Sequence, residues 1–177
     1  MTASSDRHPP EDRHGPGVHH DPPTPGPPGP ATDLAWLREA VNLSRLCPRS
    51  TTAFAVGAVI VTSTGQILAT GYSREADPLD HAEEAALAKL PPDHPHLRNA
   101  TIYTSLEPCT TRASRPQGCT QLILTAAIPR VVFAWHEPDV FTDCTGAETL
   151  REAGVEVIEL PTLAPEVRAV NSHLFPS

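Results

Sequence analysis

Strand-like and helix-like segments alternate along the chain from residue 33 onward, and this order is the strongest constraint on its fold. Strands are expected in five runs rich in β-branched and apolar residues, which are 54–61, 66–72, 100–106, 130–135 and 155–160. Helices are expected at 32–46, 81–90, 119–128, 146–154 and 164–174. The predicted order is therefore α-β-β-α-β-α-β-α-β-α.

The connections between these segments predict how the strands pair. Residues 62–65, Thr-Ser-Thr-Gly, form a short glycine-containing link between the first two strands, which is typical of a β-hairpin. Each later strand is separated from the preceding one by a helix, and strands joined through helices run parallel and are buried on both faces. The predicted fold class is α/β, a three-layer α/β/α sandwich around a five-stranded mixed sheet.

The first part of the chain has a different composition. Residues 1–31 are dense in proline, glycine and histidine and contain almost no apolar side chains, so they cannot bury enough surface to offset their ordering entropy. We therefore expect residues 1–31 to be a disordered tail and residues 32–177 to be a single folded domain. Four histidines of this tail are expected to be solvated: His8, His14, His19 and His20.

Charge and hydropathy exclude several classes of partner. The formal net charge is -8, whereas a protein that binds nucleic acid usually shows a basic patch or stripe. No run approaches the roughly 20 apolar residues of a membrane span, and the tail lacks the apolar core of a signal peptide. We expect no nucleic-acid partner, no membrane segment, a cytoplasmic location and a small-molecule substrate.

Three side chains that can bind metal fall at informative places. His81 lies where a predicted helix begins, Cys109 lies just past the third predicted strand, and Cys119 begins the next helix. Active sites of parallel α/β folds lie outside the carboxyl ends of strands, and a helix N-terminus favours the thiolate that zinc requires. One imidazole and two thiolates leave a fourth tetrahedral position open, as in catalytic zinc sites. The sequence predicts one Zn²⁺ per chain, whereas Cys47 and Cys144 are expected to be structural.

Glu83 follows His81 by two residues, so its carboxylate can face the open metal position without binding the metal. A carboxylate there can take a proton from zinc-activated water and deliver it to a leaving amine, which is the chemistry of hydrolytic deamination. Two alternatives remain open at this point. Asp80 and Glu83 also fit a capping box at a helix start, and Cys109 and Cys119 can be two buried small residues.

Four segments of the chain carry a family resemblance, namely "VGAVIV" (56–61), "HAEEAAL" (81–87), "SLEPC" (105–109) and "TTRASRPQGC" (110–119). They resemble the cytidine-deaminase-like superfamily, and most closely the pyrimidine deaminase domain of the bifunctional deaminase/reductase of riboflavin biosynthesis. The resemblance implies a zinc ion held by one histidine and two cysteines and a proton-shuttling glutamate, here His81, Cys109, Cys119 and Glu83.

The resemblance also implies features of the substrate pocket and of assembly. The backbone around Ala82 and Ser105 is expected to contact the substrate near the reacting amine. Self-association is common in the superfamily, so a homodimer or homotetramer is expected.

The chain departs from the riboflavin deaminases in three places. Ala53-Phe54-Ala55 stands where an Asn-Pro pair commonly contributes to the pocket, the loop between the two cysteines is one residue longer, and no reductase domain follows. Each difference leaves the zinc chemistry intact and bears on the identity of the substrate.

Other candidate substrate contacts have ordinary alternatives. Phe54 can stack on a heteroaromatic ring or fill a core position at a strand edge, and His136 can line the pocket or lie at the surface. Three arginines can grip a substrate phosphate or be solvated: Arg74, Arg112 and Arg115.

The leading hypothesis is a zinc-dependent hydrolytic deaminase that converts an exocyclic amine of a pyrimidine-type ring to a carbonyl and releases ammonia. The aminopyrimidine of the riboflavin pathway is the favoured substrate, and a cytosine nucleotide such as deoxycytidylate is the alternative. A hypothesis of a different class is a non-catalytic zinc-stabilised domain that binds a nucleotide or a protein partner.

Overall fold

The computed structural model describes residues 25–136 and 145–175. The strands are β1 (Gly57–Val61), β2 (Ile67–Tyr72), β3 (Thr101–Thr104), β4 (Arg130–Phe133) and β5 (Glu156–Glu159). The helices are α1 (Asp33–Ser44), α2 (Ala82–Leu87), α3 (Cys119–Thr125), α4 (Gly146–Glu152) and α5 (Ala164–Val170). The ten predicted elements are therefore present in the predicted order.

Each element is shorter than the sequence pattern that predicted it. The start of the first strand shows why, because residues 54–56 fit a strand pattern but precede β1. The backbone N–H of Ala55 donates to Oδ1 of Asn171 at 2.7 Å, and the N–H of Val56 donates to Oγ of Ser73 at 3.1 Å. Side chains from distant parts of the chain thus accept the hydrogen bonds of backbone groups that the sequence pattern had assigned to a β-strand.

The sheet has the strand order β2-β1-β3-β4-β5. The pairs β2–β1 and β1–β3 are antiparallel, whereas β3–β4 and β4–β5 are parallel. The prediction of a five-stranded mixed sheet is confirmed, including the hairpin at its start and the parallel later strands. The carboxyl ends of β3, β4 and β5 consequently lie at one edge of the sheet.

Helices cover both faces of the sheet and give it two hydrophobic cores. Val59 and Val61 pack under α1 and α5, whereas Ile60 packs under α2 and α3, as the two-residue period of a strand requires. The first core includes Trp36, Leu37, Val41, Tyr103, Val132, Leu163 and Val167. The second core includes Ala86, Ile102, Ile123, Ile128, Val131 and Leu150. The predicted three-layer α/β/α sandwich is confirmed.

The prediction of a disordered tail over residues 1–31 falls mostly outside the described residues, as do its four histidines. The part that is described contacts the domain: Nε1 of Trp36 donates to the carbonyl of Gly26 at 2.9 Å, and Oδ1 of Asp33 accepts from the N–H of Gly29 at 3.1 Å. Gly26 and Gly29, which the prediction placed in the tail, are therefore hydrogen-bonded to residues of α1. Within residues 25–136 and 145–175, no helix has the length and apolar character needed to cross a membrane.

Candidate metal centre and active-site pocket

Three metal-binding side chains meet where β3 ends and two helices begin. His81 is the N-cap residue of α2, Cys109 lies in the segment that leaves β3, and Cys119 is the first residue of α3. Nδ1 of His81 lies 3.5 Å from Sγ of Cys109 and 3.5 Å from Sγ of Cys119. The ligand atoms of all three residues lie within 4.8 Å of one another.

These distances fit a tetrahedral zinc ion. Bonds of about 2.3 Å to sulfur and about 2.1 Å to nitrogen at tetrahedral angles place the two ligand atoms about 3.6 Å apart. The two Nδ1–Sγ distances match that edge length, so Nδ1 is the imidazole atom suited to bind the metal. Within the described part of the chain, no other group of three or more His, Cys, Asp or Glu side chains could hold a metal ion.

Gly71 of β2 fixes the position of the histidine relative to the sheet. A Cβ atom at Gly71 would lie 2.4 Å from the carbonyl oxygen of Ala82 and 2.5 Å from the backbone nitrogen of Ala86. Any larger residue would therefore push α2 away from the sheet. Because α2 begins directly after His81, this close packing also sets the distance from the sheet to the imidazole.

The three candidate ligands shift the pKa values of one another. The pKa of Cys109 is lowered because the Cys119 thiol hydrogen-bonds to it and His81 lies beside it, although burial opposes the shift. Burial lowers the pKa of His81, but the hydrogen bond to Cys109 and the charges of Cys109 and Glu83 outweigh burial and raise it. Metal binding requires the deprotonated ligands, so affinity is expected to fall as the pH is lowered.

Glu83 is buried beside this centre, with 3 % of its surface exposed. Oγ1 of Thr104, the last residue of β3, donates a 2.8 Å hydrogen bond to Oε1 of Glu83. Burial raises the pKa of Glu83, and the charge of Cys109 raises it further. A buried carboxyl group with a raised pKa is suited to accept and release a proton near neutral pH.

The capping box at the start of α2 uses Glu84 rather than Glu83. The backbone N–H of His81 points to Oε2 of Glu84 at 3.5 Å, and His81, not Asp80, is the N-cap of α2. The capping box that pairs Asp80 with Glu83 is therefore wrong, because the helix starts one residue later than that alternative requires. Glu83 faces the pocket instead of the helix end.

A cavity of about 420 Å³ opens in front of the metal centre. Glu83, His81 and Cys109 line one end of it, and Phe54 and Leu106 contribute an apolar wall. Cavities of roughly 300 Å³ or more are large enough for small ligands, and a mostly apolar lining with a few polar groups is typical of such sites. The volume suits a single heteroaromatic ring with a substituent.

Phe54 and Arg74 both line this cavity. The Phe54 ring is held at 6.1 Å from Trp135 in an edge-to-face arrangement and at 6.1 Å from Phe175. Nη1 of Arg74 donates to the carbonyl of Phe54 at 3.0 Å, and Nη2 donates to the carbonyl of Pro48 at 2.8 Å. Arg74 adopts a φ of 63°, which is uncommon outside glycine and is a form of backbone strain often found at functional sites.

The other two candidate arginines are engaged in ion pairs. Arg112 lines the cavity, but its Nη1 lies 2.9 Å from Oε2 of Glu84. Arg115 does not line the cavity, and its Nη2 lies 3.1 Å from Oδ1 of Asp80 and 3.4 Å from Oδ1 of Asp77. Carboxylates of the chain itself therefore bind these two guanidinium groups, an arrangement that neither alternative, a substrate phosphate or solvent, had included.

Ala82 and Ser105 are fully buried and are not among the residues that line the cavity. Oγ of Ser105 accepts from the N–H of Gly57 at 3.2 Å. His136 is also outside the lining, and its two ring nitrogens lie 2.8 Å from Glu107 and 2.9 Å from Glu159. The alternative in which His136 lies at the surface therefore describes it better.

The two remaining cysteines have different outcomes. Sγ of Cys47 donates to the carbonyl of Val56 at 3.3 Å, which agrees with a structural role. Cys144 lies outside the described residues.

Sequence reasoning missed two residues that shape the site, Thr104 and Asn171. Thr104 precedes the Ser105 motif by one residue, and the alternation of faces along β3 is the only signal that places its side chain toward α2. Asn171 lies 116 residues from its partner Ala55, so no local pattern connects the two.

Comparison with known proteins agrees with this geometry. The family model for the cytidine and deoxycytidylate deaminase zinc-binding region matches residues 30–135, which include all three candidate metal ligands. The diaminohydroxyphosphoribosylamino-pyrimidine deaminase of Schizosaccharomyces pombe is 39% identical over 142 residues, which cover 78% of this chain and 35% of that protein. The riboflavin biosynthesis protein RibD of Aquifex aeolicus is 38% identical over 120 residues, which cover 68% of this chain and 32% of that protein.

The chain thus spans about a third of the length of these two relatives. A crystal structure of the Rib2 deaminase of Aspergillus oryzae in complex with DARIPP matches with a TM-score of 0.67 and 25% identity, over 78% of this chain and 88% of that chain. Because the matched family region covers more than half of the chain and contains the converged His81, Cys109 and Cys119, the chain belongs to the cytidine and deoxycytidylate deaminase zinc-binding family.

Proposed function

We propose that this chain is a zinc-dependent hydrolytic deaminase that acts on a phosphorylated aminopyrimidine. This is the class of substrate that appears in the name of its Schizosaccharomyces pombe relative. Water and the aminopyrimidine are consumed, the exocyclic amine becomes a ring carbonyl, and ammonia is released. The observation that carries the proposal is the placement of Glu83 beside the three converged ligands at one end of the cavity.

His81, Cys109 and Cys119 would hold the metal through Nδ1 and two sulfur atoms. Zinc bound there would lower the pKa of a water at its open fourth position to about 7. The ligand set supports this role because three protein ligands leave one position free, whereas a structural zinc site uses four.

Glu83 would carry the protons. Thr104 holds Oε1, so we assign two successive proton transfers to Oε2. It would take one proton from water and pass it to a ring nitrogen, and it would then take the remaining hydroxyl proton of the adduct and pass it to the amine, which leaves as ammonia while the ring carbonyl forms. Burial of Glu83 supports this assignment, because it brings the pKa closer to the working pH and excludes bulk water from the proton path.

The ring of the substrate would lie against Phe54, and Arg74 would meet its phosphate. The Arg74 guanidinium donates three hydrogen bonds to two backbone carbonyls, those of Pro48 and Phe54, and these neutral groups do not offset its positive charge. The charges of Arg112 and Arg115 are, in contrast, paired with carboxylates. Arg74 is therefore the best-placed of the three arginines for an anionic substituent.

We also propose one zinc ion per chain, assembly into a homodimer or homotetramer, and a cytoplasmic location. The single cluster of ligands in the described residues supports the stoichiometry. The family resemblance supports self-association, and the absence of a long apolar helix among the described residues is compatible with the location.

The proposal is tested by ammonia release from a panel of amines. The panel contains a phosphoribosylated diaminopyrimidine, its dephosphorylated form, deoxycytidylate, cytidine and guanine, and zinc content is measured on the same preparations. We expect the phosphoribosylated pyrimidine to react fastest and Glu83→Gln to keep its zinc while losing turnover. Full activity of Glu83→Gln would refute the mechanism, and zinc-loaded protein that is silent on every compound would favour a non-catalytic binding domain.

A further inference from the structure

The loop between the two cysteines, residues 110–118, is tied to both sides of the histidine. We propose that Arg112 and Arg115 are positioning residues that hold this loop against Asp80 and Glu84 and thereby set the distance from His81 to the cysteines. We call these four residues the loop clamp: Arg112, Arg115, Asp80 and Glu84. The inference rests on the proposed zinc site, because the clamp acts on the three ligands.

Arg112 forms the inner half of the loop clamp. Its Nη1 donates to Oε2 of Glu84 at 2.9 Å, and its Nε donates to the carbonyl of Gln117 at 2.9 Å. Only 6% of the Arg112 side chain is exposed, so the ion pair is little screened by solvent. One guanidinium group thus joins the loop to itself and to the first turn of α2.

Arg115 forms the outer half. Its Nη2 donates to Oδ1 of Asp80 at 3.1 Å, and its Nε lies 3.5 Å from Oε1 of Glu84. A third of this side chain is exposed, so Arg115 contributes less than Arg112. Asp80 precedes His81 directly, and Glu84 also accepts from the N–H of His81 at 3.5 Å. Both arginines therefore form ion pairs with residues that lie on either side of His81 in the sequence.

The ends of the loop are closed without the arginines. A Cβ atom at Gly118 would lie 2.1 Å from the carbonyl oxygen of Thr110, so only glycine lets the two ends approach this closely. The N–H of Thr120 donates to the carbonyl of Cys109 at 3.1 Å. These contacts join Cys109 to Cys119, but they do not join either cysteine to His81. The ion pairs of the loop clamp supply that second connection.

Local charge also favours a clamp over a phosphate site. Three carboxylates, those of Asp77, Asp80 and Glu84, surround the two guanidinium groups of Arg112 and Arg115. The cluster is therefore net negative and repels an added phosphate dianion. A substrate phosphate would have to displace ion pairs that already exist in the folded protein.

The test is the rate at which zinc leaves the full chain for a chromogenic chelator in excess. The variants are Arg112→Met, Glu84→Gln, the double variant and the conservative Arg112→Lys. The matched control is Lys89→Met, because Lys89 also pairs with a carboxylate near α2, at 2.6 Å from Glu75, but does not contact the loop. The melting temperature of each zinc-free variant is measured in parallel to separate metal retention from general stability.

We expect Arg112→Met and Glu84→Gln each to release zinc about 10- to 100-fold faster than the wild type, the range found for residues that orient metal ligands. The double variant should be little faster than either single one, because both remove the same ion pair. Arg112→Lys should recover part of the loss, and Lys89→Met should release zinc at the wild-type rate. Zinc-free Arg112→Met and Lys89→Met should melt at similar temperatures.

The outcomes separate this inference from the proposed function. If the wild type binds zinc, and Arg112→Met and Glu84→Gln release zinc at the wild-type rate, the loop clamp is overturned and the deaminase proposal stands. Wild type that binds no zinc would overturn both. Unchanged zinc release with weaker binding of the phosphorylated substrate would assign Arg112 to the phosphate instead. If Arg112→Met does not fold, Glu84→Gln and Asp80→Asn carry the same expectation and the same refutation.

Discussion

Oγ1 of Thr104 donates a 2.8 Å hydrogen bond to Oε1 of Glu83, which joins the last residue of β3 to the second residue of α2. Both residues are buried. Burial and the charge of Cys109 raise the pKa of Glu83, whereas the hydrogen bond from Thr104 favours the carboxylate and lowers it. Thr104 therefore orients Glu83, the proposed proton carrier, and limits how far the pKa of Glu83 rises.

Replacing Thr104 by valine should move the acid limb of the pH–rate profile to higher pH. Loss of a hydrogen bond to a charged group costs about 1.5–3 kcal/mol, which corresponds to a shift of about one pH unit or more. The profile of kcat/KM is measured with the phosphoribosylated pyrimidine. Thr104→Ser, which keeps the hydroxyl, should retain the wild-type profile, and both variants should retain zinc. Superimposable profiles for Thr104→Val and the wild type would show that the bond does not tune Glu83.

The fold was accessible from sequence because its signals are local. Val59, Ile60 and Val61 are buried on alternate faces of β1, and the glycine-containing link after them forms the predicted hairpin. The boundaries of the elements could be predicted less well. Residues 54–56 have a strand-like sequence, but the side chains of Asn171 and Ser73, which are distant in sequence, bind their backbone N–H groups. A pattern read along the chain records side-chain periodicity, not which distant side chain satisfies a backbone group.

Some residues of the candidate site could likewise be predicted from the sequence, and others could not. His81, Cys109 and Cys119 could be predicted together because their residue types are scarce and each lies at the end of a strand or the start of a helix. The roles of the arginines could not be predicted, because the partner of Arg112 is Glu84, which lies 28 residues earlier in the chain. A loop arginine can bind a phosphate or a carboxylate equally well, and only the fold decides which anion it meets.

The ion pair between Asp33 and Arg130 should stabilise the domain. Nη2 of Arg130 lies 2.7 Å from Oδ2 of Asp33, and Oδ1 of Asp33 accepts from the Tyr103 hydroxyl at 2.7 Å. Asp33 is 2% exposed, so Asp33→Ala removes the buried partner of a poorly solvated guanidinium and leaves it only the exposed Glu156; the change should cost about 3 kcal/mol in the free energy of unfolding. Urea denaturation measures this change. Glu166→Ala removes the exposed pair with Arg38 and should change stability by less than about 1 kcal/mol.

The same pair predicts a pH dependence. Burial alone would raise the pKa of Asp33, but hydrogen bonds from Arg130 and Tyr103 outweigh it and lower the pKa below the ordinary value of 3.8. The ionised group therefore favours the folded state, and its contribution is present above about pH 4 and lost as the pH falls through the folded-state pKa. Wild type should lose stability more steeply than Asp33→Ala on acidification below about pH 4. Parallel curves of unfolding free energy against pH for the wild type and Asp33→Ala would contradict a stabilising role of ionised Asp33.

Asn171 should support the wall of the pocket. Its Oδ1 accepts from the N–H of Ala55 at 2.7 Å, and its Nδ2 donates to the carbonyl of Ala55 at 3.1 Å. Asn171→Ala leaves both buried backbone groups unsatisfied and should destabilise the domain by about 2–4 kcal/mol, with a higher KM because Phe54 loses its support. Thermal unfolding and steady-state kinetics measure the two effects. Ser172→Ala, an exposed change beside Asn171, should alter neither; equal effects of both variants would refute the role of Asn171.

Arg74 should discriminate phosphorylated from unphosphorylated substrate. Arg74→Met removes the candidate arginine whose guanidinium donates to the neutral carbonyls of Pro48 and Phe54. We expect kcat/KM for the phosphorylated pyrimidine to fall about 10- to 100-fold more than for its dephosphorylated form, as loss of a charge-assisted hydrogen bond predicts. Arg38→Met, far from the cavity, is the control. Equal losses on the two substrates would show that Arg74 supports the pocket wall without contacting the phosphate.

Zinc removal should abolish activity and lower thermal stability. The three ligands come from the N-cap of α2, the segment after β3 and the first residue of α3, so a bound ion joins parts of the chain that are separate in sequence. A ligand that binds only the folded state at about 1,000 times its Kd stabilises it by about 4 kcal/mol, so the melting temperature should fall when a chelator strips the metal. One equivalent of zinc should restore both activity and melting temperature, and Cys119→Ser should bind zinc more weakly than the wild type. A chelated protein that keeps its melting temperature and its turnover would show that the cluster holds no functional metal.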